Sequence, residues 1–198
     1  MKFVRKTTYY RGVVYEWNLP TGFTCPFALE CLVKVDRQTG KMTNKSNQYR
    51  CYAGSAERFP AVREHRWKNF EYVRSGRVPI VPEKAKAVRI HASGDFFSQK
   101  YFDTWLMVCR NNPDVEFWAY TKSLNYWVNR LESIPKNLVL TASYGGRQDQ
   151  LIREYNLKHA LVIPSADKAN GMPIDTNDDL ARIKNVNFYL VDNFAKRG

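Results

Sequence analysis

The chain of 198 residues carries 31 lysines and arginines against 19 aspartates and glutamates, a formal net charge of +12, and 14% of it is aromatic. That length suits one domain with a single core, and the longest apolar runs are short pieces such as Ala160 to Pro164, which excludes a membrane-spanning helix. Rings among excess cations point to nucleic acid, DNA or RNA, as partner, because phosphates attract the cations and bases stack on the rings; the alternative is a basic surface that only aids solubility.

The N-terminus, Met1 to Lys6, has no apolar signal core, so the expected setting is a reducing cytoplasm in which thiols stay free. Val13 to Leu19 reads as a strand ending at Pro20. Directly after it come Cys25 and Cys31, and Cys51 follows the polar stretch 36–48, which reads as a turn or hairpin tip. Three of the four cysteines thus fall within 27 residues, in a segment of loop-like composition. Thiolates gathered in this way suit zinc, Cu(I) or an iron-sulfur cluster. Buried structural thiols and disulfides are the competing readings. Three thiolates leave a fourth position for another side chain or for an exchangeable ligand.

From Ser55 to Arg74, Phe59, Val62, Trp67, Phe70 and Val73 recur at mostly three- and four-residue steps, which predicts an amphipathic helix starting near Ala56 to Phe59, since Pro60 fits only a first turn. Arg58, Arg63, Arg66, Lys68 and Arg74 fall between the apolar positions, either as a solvated face or as a phosphate-binding ridge. Residues 75–86 form a connector. Beyond it, strands are predicted at Ala87 to Ser93, Val115 to Thr121, Leu138 to Ala142, His159 to Ile163 and Val186 to Val191. Helices are predicted between them at Ser98 to Asn111, Leu124 to Leu131, Arg147 to Tyr155 and Asp178 to Lys184. Repeated β-α-β units of this length imply an α/β fold with right-handed parallel crossovers. About six strands are too few for a closed eight-stranded barrel, so an incomplete parallel (β/α) barrel or open parallel sheet is expected, with an N-terminal cysteine-bearing segment. The chain reads as one domain: residues 1–54, the strand and cysteines; 55–86, the basic helix and connector; 87–198, the β/α repeats.

In parallel sheets chemistry collects at the carboxyl ends of strands. There the sequence places His91, Ser93, Gly94 and Asp95, then Lys122, then Ser143, Gly145, Gly146 and Arg147. Strand alternation would put Arg89, His91 and Ser93 on a polar face lining a cavity. His91 would then act as a fourth metal ligand or a proton-transfer group. Gly94 suits a tight turn or close backbone approach, and Asp95 a carboxylate for a ribose hydroxyl, an amine or a metal. Ser98 reads as the cap of the following helix, which frees Asp95. Lys122 would meet a phosphate or carboxylate, and the Gly145 turn offers backbone amides to an anion. Cys109 shares a helical face with Phe102, Trp105 and Leu106 and reads as core. Phosphate-loop, nucleophile-elbow, zinc-protease and deaminase signatures are absent.

Thr24-Cys25-Pro26 with Cys31, then Arg50-Cys51-Tyr52-Ala53, Arg89 to Ser98, Ala119 to Ser123 and Leu140 to Ser143 together resemble the phage "gene product 88" family, from about Leu19 to Ser165. That resemblance implies a bacteriophage origin and, with it, a host cytoplasm. The layout also looks like a trimmed relative of the radical S-adenosylmethionine enzymes, which hold a [4Fe-4S] cluster on three cysteines after the first strand of a partial barrel. Their C-x3-C-x2-C spacing is replaced here by five residues between Cys25 and Cys31 and nineteen before Cys51. Taken so, the likeness implies a [4Fe-4S] cluster on Cys25, Cys31 and Cys51, with S-adenosylmethionine or a substrate on the open iron. Ser93, Gly94, Ser143 and Gly145 would then bind the cofactor, and His91, Asp95 and Lys122 would position or protonate a nucleic acid or nucleotide. The alternative is a non-catalytic DNA- or RNA-binding protein stapled by a cluster or zinc, which a His91 ligand would favour.

Overall fold

The structure, a computed structural model, describes residues 2–6, 13–44 and 51–192. Lys45 to Gln48 of the polar tip and the Tyr49-Arg50 approach to Cys51 lie outside the described residues. Nine strands are described: β1 (Val4–Lys6), β2 (Val14–Trp17), β3 (Val33–Val35), β4 (Met42–Asn44), β5 (Ala87–Ile90), β6 (Glu116–Thr121), β7 (Leu138–Ser143), β8 (His159–Ile163) and β9 (Phe188–Val191). The helices are α1 (Tyr52–Ala56), α2 (Pro60–Arg74), α3 (Gln99–Arg110), α4 (Leu124–Val128) and α5 (Gln150–Glu154), with 3-10 turns at Leu131–Ser133, Ala166–Lys168 and Leu180–Arg182.

Seven strands form one sheet in the order β1-β2-β5-β6-β7-β8-β9, and β3 pairs with β4 as a separate hairpin. Within the large sheet every pairing is parallel except β1 with β2. The order never reverses, and the sheet stays open, with β1 and β9 as edges. Alternation divides the strand residues between two cores. Trp17, Val88, Ile90, Phe117, Ala119, Leu138, Leu140 and Ala142 join Phe102, Trp105, Leu106 and Cys109 of α3 on the helix face. Val14, Ala87, Trp118, Val139, Ala160 and Phe188 lie on the second face, packed with Ala181 of the last 3-10 turn. Ser98 caps α3 as expected, its hydroxyl accepting from the Tyr101 amide at 3.2 Å.

The basic helix starts as expected, with Phe59 as its N-cap and Pro60 opening α2, and the short α1 precedes it. Two expectations change. The last expected helix, Asp178 to Lys184, is only the Leu180–Arg182 turn. Strand β5 ends at Ile90, and His91 takes a left-handed φ of 72°. That turn breaks the alternation, so the imidazole goes to the helix face among Phe96, Tyr101 and Trp105 and not to a polar cavity.

Candidate metal centre

The loop after β2 is tied to the ends of two strands, β5 and β7. Asn18 Oδ1 accepts from the Ala92 and Ser93 amides at 2.8 and 3.0 Å, and the Leu19 amide donates to the Ser93 carbonyl at 2.9 Å. The Ser93 hydroxyl donates back to the Leu19 carbonyl at 2.9 Å. Gly94, at φ +87°, lies so close that a β-carbon would stand 2.6 Å from Thr24 Oγ1 and 2.7 Å from Leu19 Cβ. Further on, the Leu29 and Glu30 amides both donate to the Gly145 carbonyl, and the Arg147 amide donates to the Phe27 carbonyl at 2.8 Å. Asp149 fixes that turn from behind, accepting from the Gly145 and Gly146 amides at 2.8 and 3.0 Å.

Two glycines pack the cysteine-bearing segments against one residue, Val33 at the start of β3. A β-carbon on Gly22, φ +73°, would sit 2.0 Å from the Val33 carbonyl oxygen, so the turn before Cys25 lies on the start of β3, just past Cys31. A β-carbon on Gly54 would stand 2.9 Å from Val33 Cγ1, so α1 packs on the same point and carries Cys51, its N-cap residue, there. The thiols accordingly act on one another. Burial pushes the Cys25 thiol well up, and the nearby Asp95, Cys51 and Cys31 push it further. Burial and then Cys31 raise that of Cys51. The Gly22 amide is directed at Cys25, and the Gly54 and Ala53 amides and the Arg66 charge at Cys51; each favours thiolate. Among the described residues no three Cys, His, Asp or Glu groups already stand in ligating geometry; the thiols are gathered but not closed on one point.

The strand-end residues fall into place around this loop. Ser93, Gly94 and Gly145 hold the loop itself. Lys122 Nζ donates to the Ser143 hydroxyl, the Ser143 carbonyl and the Tyr144 carbonyl. Its ammonium braces the turn of Gly145 and is engaged rather than offered to a ligand. Asp95 accepts from the Phe96 amide and Thr121 hydroxyl through Oδ1 and from the Lys122 amide through Oδ2. Burial pushes its pKa up to about 6 against those three hydrogen bonds and the Lys122 charge. His91 shares a 2.9 Å hydrogen bond with the Tyr101 hydroxyl, and burial and the Arg89 charge push its pKa down to about 3. Its ring lies in the aromatic core, away from the role of fourth ligand.

The ridge on the basic helix is also corrected. Arg63 is buried and donates to the carbonyls of Arg37, Gln38, Glu57 and Arg58. Buried Arg66 donates to the Ala53 carbonyl and to Glu57 Oε1 at 2.8 Å. Only Arg58, Lys68 and Arg74 of the five are exposed. Residues that sequence reasoning passed over are Asp149, Gly54 and Glu57. Gly54 carried a signal in its closeness to Cys51, whereas Glu57 and Asp149 are ordinary surface carboxylates by sequence.

A family model described as "Gene product 88" matches residues 4–196. The chain belongs to this family. Two phage relatives, the Gene 88 proteins of Mycobacterium phages L5 and D29, are each 34% identical over 131 residues. The match covers 56% of this chain and 48% of each relative, so the chain spans about half their length. No solved structure matches. Among the described residues of this Gene product 88 family member, no helix is long and apolar enough to cross a membrane.

Proposed function

We propose that Cys25, Cys31 and Cys51 hold a metal centre, an iron-sulfur cluster of the [4Fe-4S] class, at the carboxyl ends of β2, β5 and β7. The single observation supporting this reading is that the two cysteine-bearing segments pack together at Val33, with the thiols close enough to act on one another and amides aimed at two of the sulfurs. Hydrogen bonds of that kind suit sulfur that carries negative charge. His91 is turned into the core and Asp95 is engaged through both oxygens, so the fourth position falls to an exogenous ligand. Such a centre, when bound, supplies electron transfer and one exchangeable coordination position.

In the protein itself, Asp149, Gly145, Ser93 and Lys122 keep the loop in place, and Arg66 offsets negative charge at Cys51. The net charge of +12 supports a polyanion, nucleic acid or a nucleotide, as what the protein acts on. The exposed Arg58, Lys68 and Arg74 are the cations to test for it. S-adenosylmethionine is the first exogenous ligand to try at the open position. Anaerobically isolated protein should change its absorption spectrum when it is added, and an unchanged spectrum would remove it from the reading. One zinc per chain without sulfide would replace the cluster by a stapled binding module.

A further inference from the structure

A second site lies beside α1, next to the cysteine loop and sharing Arg66 with it. It is a cavity of 440 Å³ between β1, β2 and β5, the two helices α1 and α2, and the 176–178 segment. That volume is in the range of small-molecule sites. Lys6, Glu16, Tyr52, Arg66, Arg89 and Asp178 supply its charged and aromatic lining.

Both lining carboxylates have partners. Glu16 Oε2 accepts from Asn18 Nδ2 at 3.2 Å and faces Lys6 Nζ at 3.4 Å. Asp178 accepts from the Tyr120 hydroxyl at 2.9 Å and from Trp118 Nε1 at 3.4 Å, and pairs with Arg89 at 2.8 Å. Donors are in surplus. Lys6 Nζ has three protons and that one partner at 3.4 Å, and buried Arg66 spends Nη1 on Ala53 and Glu57, leaving Nη2 without a hydrogen bond among the described residues. The lining cations Lys6, Arg66 and Arg89 outnumber the lining carboxylates Glu16 and Asp178, so a ligand with acceptors and negative charge suits the cavity. Tyr52 adds an aromatic wall whose hydroxyl is fixed by the Ala92 carbonyl at 2.8 Å and by Arg89 at 3.1 Å.

We infer that this cavity binds a small anion with a stacking ring, a mononucleotide, its phosphate on Lys6 and Arg66 and its base against Tyr52. The inference does not rest on the metal centre. The purified 198-residue protein should bind adenosine 5′-monophosphate saturably in isothermal titration, with affinity falling as salt rises. Adenosine alone and inorganic phosphate alone should each bind about tenfold or more weakly, as should the nucleotide to Lys6→Ala. Lys6 is half-exposed, so this variant spares the core. No saturable binding, phosphate binding as tightly as the nucleotide, or undiminished affinity in Lys6→Ala would overturn the inference. Retained binding in metal-free Cys51→Ala supports the cavity whatever becomes of the metal centre. Binding lost together with the metal would place the nucleotide there and overturn the cavity assignment.

Discussion

His91 shows how one left-handed residue decides where a side chain goes. Its Nε2 meets the Tyr101 hydroxyl while buried Nδ1 has no partner among the described residues, and burial and the Arg89 charge lower its pKa to about 3 from 6.5. The unfolded chain takes a proton near 6.5, so stability is complete above that pH and is lost as pH falls toward 3. The shift corresponds to about 5 kcal/mol. Asp95 acts in the opposite sense: its raised pKa gives a contribution present below 3.8 and lost as pH rises to about 6, worth about 3 kcal/mol. The histidine wins, so acid should destabilise the protein. His91→Asn keeps a residue that tolerates φ of 72°. Between about pH 6 and 4 the two groups oppose one another in the wild type, so urea unfolding of this variant, with Asp95 left alone, should show stability that rises on acidification across that range. A variant with the wild-type pH dependence would contradict this account of the imidazole.

At the scale of the elements, the glycines around the cysteine loop separate backbone conformation from close contact. Gly76 has φ +84° and nothing within 4 Å of a β-carbon, so Gly76→Ala should cost about 1–2 kcal/mol, the strain of the left-handed region alone. Gly22 and Gly94 share that φ but press on Val33, Thr24 and Leu19. Alanine at either should cost about 3 kcal/mol or more in urea unfolding and reduce metal content as well. Equal costs at all three positions would mean that the loop does not depend on this close approach. Asp149→Ala frees two amides of the turn that holds residues 27–30, and it should lower metal affinity by about tenfold or more in chelator competition. Unchanged affinity would show that the turn is not needed to hold the cysteines.

The same elements show what could be read before the structure. Strands β6 to β8 and helix α3 were legible because their apolar periods are regular and Ser98 marks a start. Pro60 likewise marked the start of α2, whereas the five-residue α1 before it is too short to show a period. Arg63 and Arg66 were misread because a cation in an amphipathic pattern reads as solvated; here backbone carbonyls and Glu57 draw both inward. The roles of Ser93, Gly94, Ser143 and Gly145 were legible as positions and not as partners. Their hydrogen bonds cross from one strand end to another, and local sequence does not encode them.

For the whole molecule, the strand order keeps every parallel strand beside its sequence neighbour in the sheet, so loops following β2, β5, β6 and β7 share one rim. The cysteine loop lies along that rim, α1 brings the third cysteine, and the nucleotide-sized cavity opens beside α1. Binding a metal on these thiols must release their protons, since burial holds Cys25 and Cys51 in the neutral form, so metal affinity should fall steeply as pH is lowered through the neutral range. Chelator competition at several pH values would show this slope, and a flat profile would argue against thiolate ligation. The most direct measurement is anaerobic purification of the protein with metal and sulfide analysis, alongside Cys51→Ala and Cys109→Ala. The account predicts about four irons and four sulfides per chain, retained in Cys109→Ala and lost in Cys51→Ala. Protein without metal or sulfide, or Cys51→Ala that keeps a full complement, would contradict it.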